Sequence, residues 1–112
     1  MDDEYKKWLT QFRKGYIELY TLLSLSKKGS MHGLALINFL QEFDLVIKEG
    51  TLYPLLNRME QNGWLNSTWN IPEGKGHPKR VYEISTKGEN ILPSLLESYE
   101  SHQKSFSKLK EI

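Results

Sequence analysis

The chain has no cysteine, which excludes disulfides, thiolate metal sites and a cysteine nucleophile and agrees with a reducing compartment. No apolar run approaches the roughly 18 residues that a membrane span needs. The opening residues, MDDEYKKW, are charged where a secretory signal would be apolar, so the expected location is the cytoplasm. An excess of one charge is also missing. Fifteen Lys and Arg against 14 Asp and Glu leave a net charge of +1, so any nucleic-acid footprint must be local rather than that of a polycation. His32, His77 and His102 lie far apart with no metal-binding spacing. Gly-x-Ser-x-Gly, a P-loop and a Gly-x-Gly-x-x-Gly turn after a strand are all absent, so no enzyme, metal or cofactor is expected. At 112 residues the chain makes one domain with a modest core that a partner can complete.

What is present is helical periodicity. Tyr5, Trp8, Leu9 and Phe12 line one side of a short helix over Tyr5–Phe12, and Asp2, Asp3 and Glu4 at its start suit the helix dipole. Gly15 marks a break before Tyr16–Ser26, where Ile17, Leu19, Tyr20, Leu22, Leu23 and Leu25 leave hardly any polar face, as in a helix central to the core. Lys27, Lys28 and Gly29 close it. Ser30 is the expected N-cap of the next helix, carried by Leu36, Ile37, Leu40 and Phe43. The connection 44–49 then turns the chain sharply into a further helix, so the pair has a helix-turn-helix shape.

That further helix spans Gly50–Leu65, GTLYPLLNRMEQNGWL. Leu52, Leu55, Leu56 and Met59 fall at i, i+3, i+4 and i+7 on one face. Thr51, Asn57, Arg58 and Gln61 occupy the other. Pro54 is expected near the first turn, and Asn62-Gly63 supplies a left-handed stop. Such a helix suits the DNA major groove, where these side chains read phosphates and base edges, and it also suits ordinary surface; the rest of the chain decides. After Gly63 the period becomes two. Trp64–Asn70 and Arg80–Ile84 suit strands, and the Gly/Pro-rich tip between them gathers Lys75, His77, Lys79 and Arg80. A basic hairpin placed directly after a helix-turn-helix is what a DNA-binding wing requires.

Thr86-Lys87-Gly88-Glu89 reads as a capping box opening the last helix. Its stripe of Ile91, Leu92, Leu95, Leu96, Tyr99, Phe106 and Leu109 is too long for so small a domain to cover, Pro93 should kink it early, and His102 falls on a polar face. A second copy, offering the same stripe and the Trp8 and Phe12 face, is the simplest cover. The expected fold is mostly α with a small β-hairpin, an α+β winged helix-turn-helix with N- and C-terminal dimerisation helices. Residues 1–86 form the N-terminal helix and DNA-binding unit, and 87–112 the C-terminal dimerisation helix.

From about Arg13 to Tyr99 the chain resembles the PadR family of bacterial transcriptional regulators, in particular its short members with one C-terminal helix. The resemblance rests on His32-Gly33, on Gly50-Thr51-Leu52-Tyr53-Pro54 with Arg58-Met59-Glu60 and Asn62-Gly63, on Gly76-His77-Pro78-Lys79-Arg80-Val81-Tyr82, and on Ser85-Thr86-Lys87-Gly88. It implies a homodimer in which the last helix packs on the partner's first, and repression from a palindromic operator, relieved by a ligand or signal. It also implies that Thr51, Tyr53 and Pro54 face DNA and that Lys79 and Arg80 form the basic wing. The helical wheel adds Asn57 and Arg58, and Lys48, Lys75 and His77 complete the expected DNA-binding set. Some short family members bind drugs in a flat apolar pore with a tryptophan from the last helix. Tyr99 matches that position here, with Trp8 and Phe12 as neighbours, so a small planar aromatic or phenolic effector is a further expected partner, against plain dimer packing of the same residues. Leu34 departs from the family's aromatic after His-Gly, and His77 stands where many members have Arg, which suggests a weaker, pH-sensitive phosphate contact. The rival from another class is a winged-helix module that binds protein, with no need for the basic tip.

Overall fold

The apolar residues of the first 28 positions are used in one helix rather than two. In the computed structural model, which describes residues 2–74 and 76–112, helix α1 runs unbroken over Asp3–Lys28. The expected break at Gly15 is therefore corrected. A helical glycine costs only about 1 kcal/mol relative to alanine, and aromatic contacts run along the same helix past it. Trp8 stacks on Phe12 with centroids 4.9 Å apart, and Phe12 meets Tyr16 edge-on at 4.7 Å. Asp2 caps the start, accepting from the Tyr5 amide at 2.8 Å.

Next come a two-residue strand β1 (Met31–His32), α2 (Gly33–Gln41), α3 (Glu49–Gln61), β2 (Leu65–Asn70), β3 (Lys79–Ile84) and α4 (Thr86–Lys110). The cap of α2 is His32, not Ser30: its Nδ1 accepts from the Ala35 amide at 3.2 Å. Ser30 falls too early because Met31 and His32 pair with Tyr82 and Val81 of β3. The hairpin is thus part of an antiparallel three-stranded sheet ordered β1-β3-β2.

Both helices of the central pair end in the same way. At α2, Leu45 N–H reaches Leu40 C=O (3.2 Å) and Asp44 N–H reaches Gln41 C=O (3.0 Å), with Asp44 at φ 61°. At α3, Trp64 N–H reaches Met59 C=O and Gly63 N–H reaches Glu60 C=O (both 2.9 Å), with Gly63 at φ 82°. These paired bonds satisfy carbonyls that a helix end leaves free and turn the chain sharply. The expected stop at Asn62-Gly63 is observed, while Trp64 and Leu65 lie beyond the helix. Pro54 is the sixth residue of α3, past the first turn where it was expected.

The core joins Leu22 and Leu25 of α1, Leu36 and Leu40 of α2, Leu52, Leu56 and Met59 of α3, Leu65 of β2, Tyr82 of β3 and Leu92 of α4. Truncating one fully buried leucine such as Leu56 to alanine removes about 2–5 kcal/mol. Helix α4 starts inside this core. Its cap is Ser85, one residue before the expected Thr86, because Ser85 can serve both sides of the junction. Its Oγ accepts from the Gly88 amide (3.0 Å) and donates to Gly63 C=O (2.5 Å). The helix then continues through Pro93 to Lys110.

Helices α1 and α4 run past the core. The Cα radius of gyration is 16.2 Å, against about 13 Å for a compact domain of this length. Among the described residues no helix is long and apolar enough to cross a membrane.

Candidate nucleic-acid interface

Helix α3 buries Leu52, Leu55, Leu56 and Met59, which leaves Thr51, Pro54, Asn57, Arg58 and Gln61 in solvent, the division expected from its period. Tyr53 is half-buried. Its ring lies over Gly33, the first residue of α2, where an added Cβ would stand 2.3 Å from the phenol oxygen. His32-Gly33 and Gly50-Thr51-Leu52-Tyr53-Pro54 thus meet in one contact between the two helices.

A groove separates α3 from the sheet, lined by His32, Leu34, Tyr53, Asn57, Trp69, Lys79 and Arg80 among others. Trp69 and Leu34 are 64% and 49% exposed there. Neither stood among the expected site residues. The signal for Trp69 was its alternation with Leu65 and Ser67, which puts the indole on the strand face that turns toward α3. Lys48 is the N-cap of α3 and makes no side-chain cap bond, with Glu49 in the first turn. A bare helix N-terminus beside a lysine can receive a phosphate.

The expected cations fall into two groups. Lys48, His77 and Lys79 are exposed, and Lys75 lies outside the described residues. The two arginines are engaged. Arg58 forms an ion pair with Glu18 of α1. Arg80 donates to Glu60 Oε1 at 2.7 Å and to Ser67 Oγ at 2.9 Å. Burial holds the Tyr82 phenol above its ordinary value, against the opposing pull of the nearby Arg80 cation.

A second cleft, of about 550 Å³, lies between α1 and α4, walled by Phe12, Tyr16, Trp64, Tyr99, His102 and Phe106 among others. Tyr16 meets Tyr99 edge-on at 5.4 Å. Burial, then its contact with Tyr99, raises the Tyr16 phenol. Of the expected pore residues, Phe12 and Tyr99 line this cleft, while Trp8 stacks on Phe12 beyond it. His102 is exposed and borders this cleft beside Ser98 and Gln103; its Nδ1 lies 2.7 Å from Ser98 C=O, a bond within its own helix. Among the described residues no cluster of three metal-ligating side chains occurs.

A tight helix pair followed by a sheet whose hairpin flanks the second helix defines a winged helix-turn-helix protein. Residues 22–94 match the model of the transcriptional regulator PadR-like family, and the chain belongs to that family. Its members are transcriptional regulators rather than enzymes. The chain is 29% identical over 84 residues to the transcriptional regulator Rv3488 of Mycobacterium tuberculosis, covering 75% of this chain and 76% of that protein. It is similar to a PadR-like transcription factor from Bacteroides fragilis (31% identity, TM-score 0.77, 92% of this chain and 98% of that one). It also resembles a PadR family regulator from Eggerthella lenta (27% identity, TM-score 0.84, 98% and 95%).

Proposed function

We propose that this regulator represses transcription by binding a palindromic operator as a homodimer and lets go when an effector arrives. The observation that carries the reading is the groove itself: Asn57 and Thr51 stand exposed on α3 beside Lys48, while His77 and Lys79 stand on the facing wing. In this reading α3 enters the major groove, Thr51, Pro54 and Asn57 meet bases or the adjoining backbone, and the wing's cations meet phosphates. The two copies of α3 then occupy successive major grooves about 34–36 Å apart.

Exposed aromatic and aliphatic residues on both long helices support the dimer. Trp8, Phe12, Phe106 and Leu109 are 57%, 45%, 63% and 65% exposed, an apolar surface that a lone domain leaves wet and a second copy covers. The apolar α1–α4 cleft suits a planar aromatic or phenolic effector stacked against Tyr99 and Phe12.

The test is fluorescence anisotropy with duplexes that the protein selects from a random-sequence library, repeated across salt concentrations. Saturable binding to a two-fold symmetric sequence, with a log–log salt slope of about 0.9 per phosphate contact, supports the reading. Failure to select any duplex, or affinity indifferent to salt, favours a winged-helix module that binds protein.

A further inference from the structure

The sequence places Arg80 among the phosphate contacts, but in the structure its guanidinium belongs to a closed ring of three side chains. Arg80 Nη2 donates to Glu60 Oε1 (2.7 Å), Arg80 Nε to Ser67 Oγ (2.9 Å), and Ser67 Oγ to Glu60 Oε2 (2.6 Å). Both carboxylate oxygens accept, and the bridging hydroxyl both accepts and donates. Each member comes from a different element: Glu60 from the last turn of α3, Ser67 from β2 and Arg80 from β3. The guanidinium also lies over the buried Tyr82 ring at 5.6 Å. The ion pair keeps 37% and 28% of its side-chain exposure on the Arg and Glu sides, so solvent weakens it, and its worth lies in geometry more than in charge.

The ring spans a corner. The chain leaves α3 through Asn62–Trp64 and enters the wing, and the ring ties the last turn of α3 to both wing strands on the other side of that bend. Positive and negative charge cancel within it, so the ring adds almost nothing to the electrostatic attraction of the interface.

We infer that Glu60, Ser67 and Arg80 are positioning residues which hold the wing at a set angle to α3, so that an acid inside the DNA-facing region strengthens DNA binding. The inference rests on the DNA-binding reading above. It separates cleanly from a phosphate-contact role because the two accounts give Glu60→Gln opposite signs. If Arg80 binds phosphate and Glu60 merely competes for it, removing the acid frees the arginine and tightens binding. If the ring sets the wing angle, removing either member loosens the wing and weakens binding.

The experiment measures DNA affinity and its salt slope for wild type, Glu60→Gln, Arg80→Gln, Ser67→Ala and the Glu60→Gln/Arg80→Gln double variant, on the duplex selected by the wild type. Expected are losses of about three- to tenfold for both single charge variants, a smaller loss for Ser67→Ala, and a double variant no worse than the weaker single one, since the partners act as a unit. The double variant, which removes one charge of each sign, keeps the wild-type salt slope. Tighter binding by Glu60→Gln, or a slope lower by about 0.9 for the double variant, overturns the inference. A second arm needs no DNA. In protein labelled with 5-fluorotryptophan, the fluorine resonance of Trp69, whose Cα pairs with that of Arg80 across β2 and β3, should shift or broaden in Glu60→Gln while that of Trp8 stays put. An unmoved Trp69 signal overturns the inference. If the wild type selects no duplex at all, the DNA-binding reading fails alone, and the fluorine spectrum still decides whether the ring holds the wing. Ser67→Ala, which removes one hydroxyl, guards against a variant that merely unfolds.

Discussion

The ring of Tyr53 occupies the space that any side chain at residue 33 would need: a Cβ there would stand 2.3 Å from the phenol oxygen and 2.6 Å from Cζ. Gly33 opens α2 and Tyr53 lies in α3, so the missing side chain at residue 33 leaves room for the Tyr53 ring between the two helices. Gly33→Ala should therefore push the half-exposed end of the Tyr53 side chain aside, at a cost of about 0.5–1.5 kcal/mol where the ring leaves its rotamer, with a drop in Tm of about 4–8 °C per kcal/mol for a domain of this size. Adding Tyr53→Leu should restore most of it. Thermal unfolding followed by circular dichroism reads both effects.

Asn57 and Lys79 should fail in different ways. Lys79→Ala should weaken binding to all duplexes alike and lower the salt slope by about 0.9. Asn57→Ala should keep the slope and relax preference at one base pair by about 1–3 kcal/mol. Competition between the selected duplex and single-base variants of it checks this, and an unchanged preference would remove Asn57 from base reading.

In the proposed dimer, a charge placed on the exposed stripe should separate the two copies. Burying an aromatic side chain is worth about 1.5–3 kcal/mol, so Phe106→Glu or Trp8→Glu should raise the dimer dissociation constant tenfold or more. Sedimentation velocity at a series of concentrations reads the shift. The helical content of the monomer should remain.

Tyr82 sets a limit on alkaline stability. Its folded-state pKa lies above the ordinary 10.0, so the folded chain holds the phenolic proton more tightly than the unfolded chain does. That contribution is complete below about pH 10 and is lost as pH rises through the higher folded value. The stability of the wild type should fall across that window, measured by urea unfolding, and Tyr82→Phe should flatten the fall.

Much of this architecture is written in local patterns. The face of α3 formed by Leu52, Leu55, Leu56 and Met59 is buried as its period requires, and Asn62-Gly63 ends the helix where expected. What the sequence concealed depends on residues distant along the chain. Met31 and His32 become a strand only because β3 lies beside them, and that pairing moves the cap of α2 from Ser30 to His32. Arg58 and Arg80 look like free cations until Glu18 and Glu60 are brought beside them by the fold. His102 follows the polar residues of α4 on a helical wheel and is exposed; the cleft it borders exists only because α1 lies alongside α4. Gly15 misled for the opposite reason: a local preference of about 1 kcal/mol was overridden by the rest of a long helix.

The continuity of α1 through Gly15 has a mechanical consequence. At 1.5 Å per residue, Trp8 and Glu18 stand about 15 Å apart on one stiff rod, and Glu18 holds Arg58 of α3. In a dimer joined through the Trp8 stripe, the rod would work as a lever arm whose far end is tied to α3. A small rotation at the subunit boundary is then felt as a change in the distance between the two copies of α3, with no need for anything to touch them.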